Sequence, residues 1–340
     1  MVHPVLMGAA VGGLAAALLS DRKVPRSEWL SMFERWVNPA SAAEETRIVN
    51  TEAAIKRAIE ARYGSKSNGI KFVRQGSSVN NTNTKNKSDL DLVIIAEFEE
   101  WFDPDTNGNF PAMFTPGGKQ IADVYPQFRR EILDALSGFN LLTYVEEGRK
   151  AIKLTPLTDA RVECDIVPAF RLKKYRPIAN ALNVPQTDDG IIFLSDSGHS
   201  IRSFPEQHLV NGKSKNTLTN HRYKQIVRIF KKMRNRFDNA ATLLTSTELP
   251  SSYLIECLIY NVPSKRLTEG DLYDAVLSSA VWIKESLASG PRCNQLEQVN
   301  GIYSVFPHWG ASLLTSLSKS DEVDMCERFV SRIMSDIKPQ

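Results

Sequence analysis

Two aspartates at alternate positions open an apolar stretch of the chain, in Asp89-Leu90-Asp91 followed by Leu-Val-Ile-Ile. Residues two apart on a β-strand point to the same face, so we expect these two carboxylates to lie side by side. A glycine-serine pair, Gly76-Ser77, precedes them by a loop of eleven residues. Glycine lets backbone N–H groups approach a phosphate closely, and the serine hydroxyl adds a donor. The pattern favours a site for a phosphate-bearing ligand. A strand start with two solvated acids is the alternative.

A third aspartate, Asp165, weakens that alternative. It lies in a segment that alternates apolar Val162, Cys164 and Ile166 with polar Arg161, Glu163 and Asp165, as expected for a strand with one buried face. Three carboxylates that converge repel one another and resist ionisation unless a divalent cation neutralises them. Carboxylate oxygens are ligands that suit Mg²⁺ or Mn²⁺. The sequence therefore predicts a metal site formed by all three aspartates.

Sequence patterns in the first half of the chain predict helices and strands that would position these aspartates. Apolar spacing over residues 29–61 predicts two helices divided at Pro39, with a capping box at Ser41 and Glu44. A turn is predicted at 64–69 and another helix over 127–136. β-Branched and alternating stretches predict strands over 71–73, 91–95, 151–154, 161–167 and 191–194.

Beyond about residue 204 the strand patterns stop and helical periodicity takes over. Helices are predicted over 223–237, 252–261, 269–288 and 322–337. The expected fold class is therefore α+β. The expected domains are an apolar N-terminal segment (1–24), a catalytic lobe (25–204) and a helical lobe that closes a nucleotide cleft (205–340).

Composition limits the classes of protein. The chain has 340 residues, of which 42% are hydrophobic and 24% charged, values that exclude wholesale disorder. A net charge of +3 excludes a histone-like binder held by overall charge. The cysteines, Cys164, Cys257, Cys293 and Cys326, have neither zinc-knuckle spacing nor the density of a disulfide framework. A reducing cytoplasm is the expected location.

Val5 to Leu19 is an uninterrupted run of fifteen apolar or small residues. This is shorter than the roughly 18–20 residues that span a bilayer. Three interpretations stay open: a helix or weakly ordered end on the protein, membrane association, and export.

A family resemblance rests on the motifs in chain order. Gly76-Ser77, Thr82, Ser88-Asp89-Leu90-Asp91 and Asp165 resemble the signature of the polymerase-β-like nucleotidyltransferases, although Asn81 and the pair Val79-Asn80 depart from it. Later motifs resemble the bacterial cGAS/DncV-like nucleotidyltransferases (CD-NTases) of antiphage (CBASS) signalling. These motifs are Phe204 to His208, Asn211-Gly212, Lys215-Asn216, Arg222 to Lys224, Phe230 to Asn235, Pro250 to Glu256 and Tyr260 to Pro263.

The resemblance implies a polymerase-β-like palm, a mixed sheet with flanking helices, followed by a helical C-terminal lobe. It implies that Asp89, Asp91 and Asp165 are catalytic and hold two Mg²⁺ ions, for which Mn²⁺ can substitute. Such ions would lower the pKa of an attacking ribose hydroxyl while pyrophosphate leaves. The implied nucleotide-binding residues are Gly76, Ser77, Lys224, Ser252 and Tyr253. The alternatives for Lys224 and Tyr253 are a solvated helix lysine and a core aromatic side chain.

The expected function is condensation of ribonucleoside triphosphates into a cyclic di- or trinucleotide messenger. Its indirect partner would be a product-sensing effector protein, no long nucleic acid is expected, and the chain is expected to be a monomer. A linear oligonucleotide synthase, or nucleotidyl transfer to RNA or protein, is the alternative within the same chemistry. An inactive nucleotide sensor or membrane-attached scaffold is the alternative of another class.

Two further sequence patterns are interpreted as surface features without a catalytic role. The basic side chains of the helix at 223–237 are interpreted as a solvated face, with a polyanion-binding or effector-binding surface as the alternative; they are Arg228, Lys231, Lys232, Arg234 and Arg236. Asp103 to Asn109 resembles the first half of a calcium loop, but Phe114 stands where the bidentate glutamate belongs. We therefore interpret 103–109 as a surface loop.

Overall fold

The computed structural model describes residues 24–38, 41–64, 69–83, 90–103, 120–138, 143–175, 187–239, 249–306 and 321–338. Asp89 and the segment Val5–Leu19 lie outside the described residues, so the roles expected of them stay predictions. No helix within these ranges is long and apolar enough to cross a membrane.

Seven strands of the described chain form one mixed sheet. They are β1 (Ile70–Gln75), β2 (Leu90–Phe102), β3 (Thr143–Glu147), β4 (Ile152–Pro156), β5 (Cys164–Tyr175), β6 (Thr187–Leu194) and β7 (Ser200–Ser203). The order is β1-β2-β5-β4-β3, and β6 pairs with both β5 and β7. β2 and β5 are parallel, whereas the other pairs are antiparallel. β5 is therefore central, because it pairs with β2 on one side and with β4 and then β6 on the other.

The helices of the described residues follow in chain order. They are α1 (Arg26–Trp36), α2 (Ala42–Tyr63), α3 (Gly76–Val79), α4 (Ile121–Gly138), α5 (Pro205–Leu218), α6 (Arg222–Asn239), α7 (Ser252–Asn261), α8 (Ser264–Leu267), α9 (Leu272–Ala288), α10 (Gly290–Asn294) and α11 (Asp321–Ile337).

The start of α2 is fixed as its sequence predicts. The Ser41 hydroxyl accepts a hydrogen bond from the Glu44 N–H at 3.3 Å, and the Glu44 carboxylate accepts one from the Ser41 N–H at 2.8 Å. Each side chain satisfies a donor that the helix start would leave unpaired. Ile48, Ile55 and Ile59 then share one buried face and join the core of the sheet.

The chain forms two compact units. The sheet unit comprises residues 41–64, 69–83, 90–103, 120–138, 143–175, 187–218 and 297–304 of the described chain. The helical unit comprises residues 24–37, 219–239, 249–296, 305–306 and 321–338. The boundary predicted from the sequence lies near residue 205, whereas α5 packs with the sheet unit and α1 with the helical unit. Trp29 and Phe33 of α1 explain the latter, because both are buried in the helical core.

Some elements differ from the sequence predictions. The strand predicted over 161–167 begins later, at Cys164, and runs on to Tyr175. The sequence patterns did not predict strands β3 and β7 or helix α5. β3 is an edge strand with three exposed side chains, so its sequence lacks the apolar alternation of a buried strand. α5 buries only His208 and Gly212, so it lacks an apolar stripe.

Asp103 corrects the interpretation of 103–109 as a surface loop, because its side chain is fully buried. Its carboxylate accepts hydrogen bonds from Tyr303 Oη at 2.6 Å, Arg202 Nη1 at 3.1 Å and Lys174 Nζ at 3.4 Å. Burial and this carboxylate raise the pKa of the Tyr303 hydroxyl, which therefore stays a donor. The network holds the segment 297–304 against the end of β2. The remainder of the loop, residues 104–109, lies outside the described residues.

Candidate active site

Asp91 and Asp165 lie side by side on adjacent strands. They are Cα partners in the parallel pairing of β2 with β5, and neighbouring strands are about 4.8 Å apart. The backbone N–H of Leu90 donates to the carbonyl of Glu163 at 2.9 Å and sets this register at the start of both strands. The convergence expected from the sequence is thus present for these two carboxylates. The structure does not describe Asp89, so its place beside them stays a prediction.

Gly76 lies directly against the Asp91 carboxylate. It follows β1 and opens the four-residue helix α3, with a backbone φ of +71° that L side chains rarely adopt. A Cβ at this position would lie 1.9 Å from Asp91 Oδ2 and 2.8 Å from Asp91 Cγ. Only glycine therefore leaves room for the carboxylate, and it brings the backbone of the glycine-serine turn to the edge of the acidic site.

The loop after Ser77 closes on itself by main-chain hydrogen bonds. The carbonyl of Ser77 accepts from the N–H groups of Thr82 at 2.9 Å and Asn83 at 3.2 Å. Asn81 has a φ of +51°, in the left-handed region where glycine is favoured and asparagine is the next best tolerated residue. This explains how the turn accommodates Asn81 where the sequence departs from the nucleotidyltransferase signature. Thr82 and Asn83 are buried, so the turn is anchored in the protein.

Electrostatic effects at Asp165 are mixed. Desolvation raises the pKa of its carboxyl group, Lys153 opposes the rise, and Glu163 adds to it. Lys153 is the Cα partner of Asp165 on β4 and lies on the same face. Lys153 is not among the site residues predicted from the sequence. Because Lys153 alternates with the buried residues Ile152 and Leu154, the sequence could have predicted that it lies on the exposed face of β4. The sequence does not reveal which strand pairs with β5.

The residues present fit a divalent cation. Two carboxylates on one face supply hard oxygen donors, Gly76 leaves space beside Asp91, and the desolvated Asp165 carboxyl would gain from a neutralising charge. Within the described ranges, no group of three or more histidine, cysteine, aspartate or glutamate side chains is placed to hold a metal ion. The third ligand expected from the sequence, Asp89, lies outside those ranges.

The helical unit carries Lys224 on α6, and three basic residues of this helix are buried. Lys224 is 9% exposed, Arg228 6% and Lys231 4%. Lys231 forms an ion pair with the buried Glu256 of α7, and burial lowers the pKa of Arg228 to about 10. The solvated-face interpretation is therefore wrong for Arg228 and Lys231, and the solvated alternative for Lys224 is wrong as well. Packing buries the side of α6 that carries these three residues. The basic residues in the sequence of this helix did not by themselves indicate that burial.

Ser252 and Tyr253 occupy the first turn of α7. Ser251 caps this helix, since its hydroxyl accepts from the N–H of Leu254 at 3.2 Å. Ser252 is exposed, and the Tyr253 side chain is 46% exposed. Desolvation raises the pKa of the Tyr253 hydroxyl, and the neighbouring Cys257 adds to the rise. The alternative that Tyr253 is a core aromatic side chain is therefore wrong, and its ring is accessible to a ligand.

Comparisons with known proteins identify the family of this chain. Residues 210–322 match the family described as cGAS/DncV-like nucleotidyltransferase C-terminal helical domain. A cyclic dipyrimidine nucleotide synthase CdnE of Legionella pneumophila is 31% identical over 258 residues, which cover 75% of this chain and 83% of that protein. The chain belongs to the cGAS/DncV-like nucleotidyltransferases. The resemblance drawn from its motifs is thereby confirmed.

Two further relatives support the same family. A cyclic dipurine nucleotide synthase of Elizabethkingia meningoseptica is 28% identical over 272 residues, which cover 79% of this chain and 88% of that protein. The solved structure of the Elizabethkingia meningoseptica CdnE cyclic dinucleotide synthase with GTP and Apcpp has a TM-score of 0.67 at 25% identity, over 90% of this chain and 97% of that one. The expected α+β fold, the nucleotidyltransferase activity and the function as a cyclic nucleotide synthase are confirmed.

Proposed function

We propose that Asp91 and Asp165, together with Asp89, are the metal-binding and catalytic residues of this synthase. The pairing of Asp91 with Asp165 across β2 and β5, on one face and beside the glycine-serine turn, carries the proposal. Two Mg²⁺ ions, or Mn²⁺ in their place, would neutralise the triphosphate and activate the attacking hydroxyl. The chain's own part is to hold the carboxylates in a fixed arrangement and to position the substrates.

The reaction joins two ribonucleoside triphosphates, ATP among the candidates, and then closes a ring. A ribose hydroxyl oxygen of one nucleotide forms a bond to the α-phosphorus of the other. The bond from that phosphorus to its bridging oxygen breaks, pyrophosphate leaves, and the hydroxyl proton passes to solvent. Gly76 and Ser77 would hold the leaving phosphates, because their turn lies against Asp91. A second transfer, within the linear dinucleotide, closes a cyclic dinucleotide and releases a second pyrophosphate; a cyclic trinucleotide needs the addition of a third nucleotide before the ring closes.

Three residues of the helical unit are also proposed to bind nucleotide. Lys224 would bind the triphosphate as a cation, and Ser252 would donate to a phosphate oxygen from the first turn of α7. Tyr253 would stack on a base, for which its exposed ring is suited. The two synthases compared above use purines in one case and pyrimidines in the other, so the base preference of this chain has to be measured.

The proposed setting is antiphage signalling in the bacterial cytoplasm, with the product read by a separate effector protein. The cysteines of the described residues, Cys164, Cys257, Cys293 and Cys326, are free and buried thiols, consistent with a reducing compartment. Nucleoside triphosphates are also present there as substrates.

The test is direct product analysis. Purified protein is incubated with all four ribonucleoside triphosphates and Mg²⁺ or Mn²⁺, then treated with phosphatase and analysed by mass spectrometry. We expect a phosphatase-resistant species at the mass of two or three nucleotides joined in a ring. Asp91→Asn should reduce its formation roughly 10²-fold or more, because one charged ligand beside the reacting phosphate is lost.

Asp134→Asn is the matched control, since it makes the same chemical change at an exposed position of α4. It should retain wild-type activity. Equal product formation by Asp91→Asn and the wild type would contradict the site assignment. A ladder of phosphatase-sensitive oligomers would contradict the cyclic product and favour a linear synthase.

A further inference from the structure

Two adjacent residues of α2, Thr51 and Glu52, bond to chain segments that lead into the proposed active site. α2 lies on the face of the sheet opposite the aspartates. Arg74 on β1 is the Cα partner of Leu92 and forms an ion pair with Glu52, so α2 packs on the face that carries Leu92. Asp91 precedes Leu92 and points to the other face. α2 can therefore influence the aspartates only through the sheet.

Thr51 holds the chain just before β5. Its hydroxyl donates to the carbonyl of Arg47 at 2.8 Å and accepts from the N–H of Val162 at 3.0 Å. Thr51 and Val162 are both buried, so loss of this acceptor would leave the Val162 N–H without a hydrogen bond in the protein interior. Val162 lies two residues before the start of β5, so a side-chain oxygen here takes the place of a strand partner.

The chain after Val162 carries this contact on to the site. The carbonyl of Glu163 accepts from the N–H of Leu90 at 2.9 Å, and the residues that follow, Asp91 and Asp165, are Cα partners. Asp165 is only three residues from Val162, so the segment between them has little slack to absorb a shift. β2 is held on its other side by β1. A displacement of Val162 would therefore move Asp165 relative to Asp91.

Glu52 holds the end of β1 in a comparable way. The Arg74 guanidinium donates from Nε to Glu52 and from Nη1 to Glu45 at 2.8 Å. A planar guanidinium bound by two carboxylates has a fixed orientation. Arg74 is two residues before Gly76, whose turn lies against Asp91. Glu52 therefore fixes the strand end from which the glycine-serine turn begins.

We propose that Thr51 and Glu52, which we name the α2 anchor, are positioning residues for nucleotidyl transfer. This inference rests on the proposed function. Thr51 sets the position of Asp165 relative to Asp91, and Glu52 sets the position of the turn at Gly76. Both act from the face of the sheet opposite the reacting groups, through the backbone of the segments that they hold.

Hydrogen exchange of the metal-free protein tests the Thr51 contact without an activity assay. Thr51→Val keeps the branched shape but removes the acceptor, so exchange should rise roughly tenfold in peptides that contain Val162 or Leu90. Thr51→Ser keeps the hydroxyl and should restore wild-type exchange. Thr46→Val is the matched control, since the Thr46 hydroxyl also donates to a carbonyl four residues earlier but is exposed. It should leave exchange unchanged.

Kinetic measurements show whether this contact serves the site. Thr51→Val should lower kcat roughly tenfold and raise the Mg²⁺ concentration for half-maximal rate by a similar factor, because a metal-binding group loses an outer contact that orients it. Thr51→Ser should restore both values. Ile59→Val removes a buried methyl group from α2 about two turns further along, so it weakens the same helix. Its Mg²⁺ dependence should match the wild type.

Glu52→Gln tests the second contact. It removes the charge that pairs with Arg74, and the KM for the nucleoside triphosphate should rise roughly fivefold, because the turn proposed to hold the phosphates is then less well fixed. Glu60→Gln makes the same chemical change at an exposed position of α2 and should match the wild type.

Wild-type exchange in Thr51→Val would overturn the α2 anchor, as would equal losses in Thr46→Val or Ile59→Val. Faster exchange with unchanged kinetics would also overturn it, because the contact would then be structural only. An unchanged KM in Glu52→Gln would overturn the role of Glu52. Failure of the proposed function is recognised separately, by wild-type product formation in Asp91→Asn, and the exchange experiment does not depend on that result.

Discussion

Replacement of Gly76 by alanine tests whether the turn and Asp91 form one site. The new Cβ would lie 1.9 Å from Asp91 Oδ2, whereas ordinary contacts begin near 3.4 Å. The clash therefore requires a displacement of about 1.5 Å. The contacted atom is the end of a side chain, so the carboxylate moves while the fold persists. Misplacement of a catalytic group by about 1 Å can cost roughly 10²-fold in rate, which is the loss in kcat that we expect.

The same substitution also has a backbone cost. An alanine at a φ of +71° is less favourable than glycine by about 1–2 kcal/mol, which should lower the midpoint of unfolding by a few degrees. Gly198→Ala is the matched control, since Gly198 has a φ of +77° and nothing within 4 Å of an added Cβ. It should lose similar stability and retain full activity.

The assays are initial rates of pyrophosphate release at saturating nucleotide with Mg²⁺, and thermal unfolding of each variant. A kcat of Gly76→Ala within about threefold of the wild type would refute the prediction, since RT ln 3 is too small for the displacement of a carboxylate proposed to bind the metal. An equal loss of activity in Gly198→Ala would also refute it, because backbone strain alone would then explain the result.

Three further predictions concern charged side chains and their partners. Tyr303→Phe removes the 2.6 Å hydrogen bond to the fully buried Asp103 and should lower the free energy of unfolding by about 1–3 kcal/mol in denaturant titrations. Lys231→Ala should cost about 3–5 kcal/mol, because Glu256 is left buried without this partner; adding Glu256→Gln should recover part of the loss, and no recovery would argue against the pair. Burial raises the pKa of Asp165 above its ordinary 3.8, so the unfolded chain releases this proton first as the pH rises. Metal-free protein should therefore lose stability as the pH rises through that value, and Asp165→Asn should lack this loss in thermal unfolding at each pH.

The sequence determined those features that depend on local spacing. The capping box of α2 follows from Ser41 and Glu44, since its contacts join residues three apart. The alternation of Val162, Cys164 and Ile166 gives the buried side of the segment that leads into β5, and the spacing of the three aspartates resembles the nucleotidyltransferase signature. The capping box and the alternation each lie within a few residues, so they can be read without knowledge of the partner elements, whereas the three aspartates are recognised through the family signature.

Only the tertiary structure decided which distant residues meet. Asp91 pairs with Asp165, and Lys153 follows in the same row, because β5 lies between β2 and β4; nothing in the sequence of a strand names its neighbours. The close approach of Gly76 to Asp91 likewise depends on the pairing of β1 with β2. Burial of Asp103 also required the fold, because a charged side chain is buried only where partners from distant segments surround it.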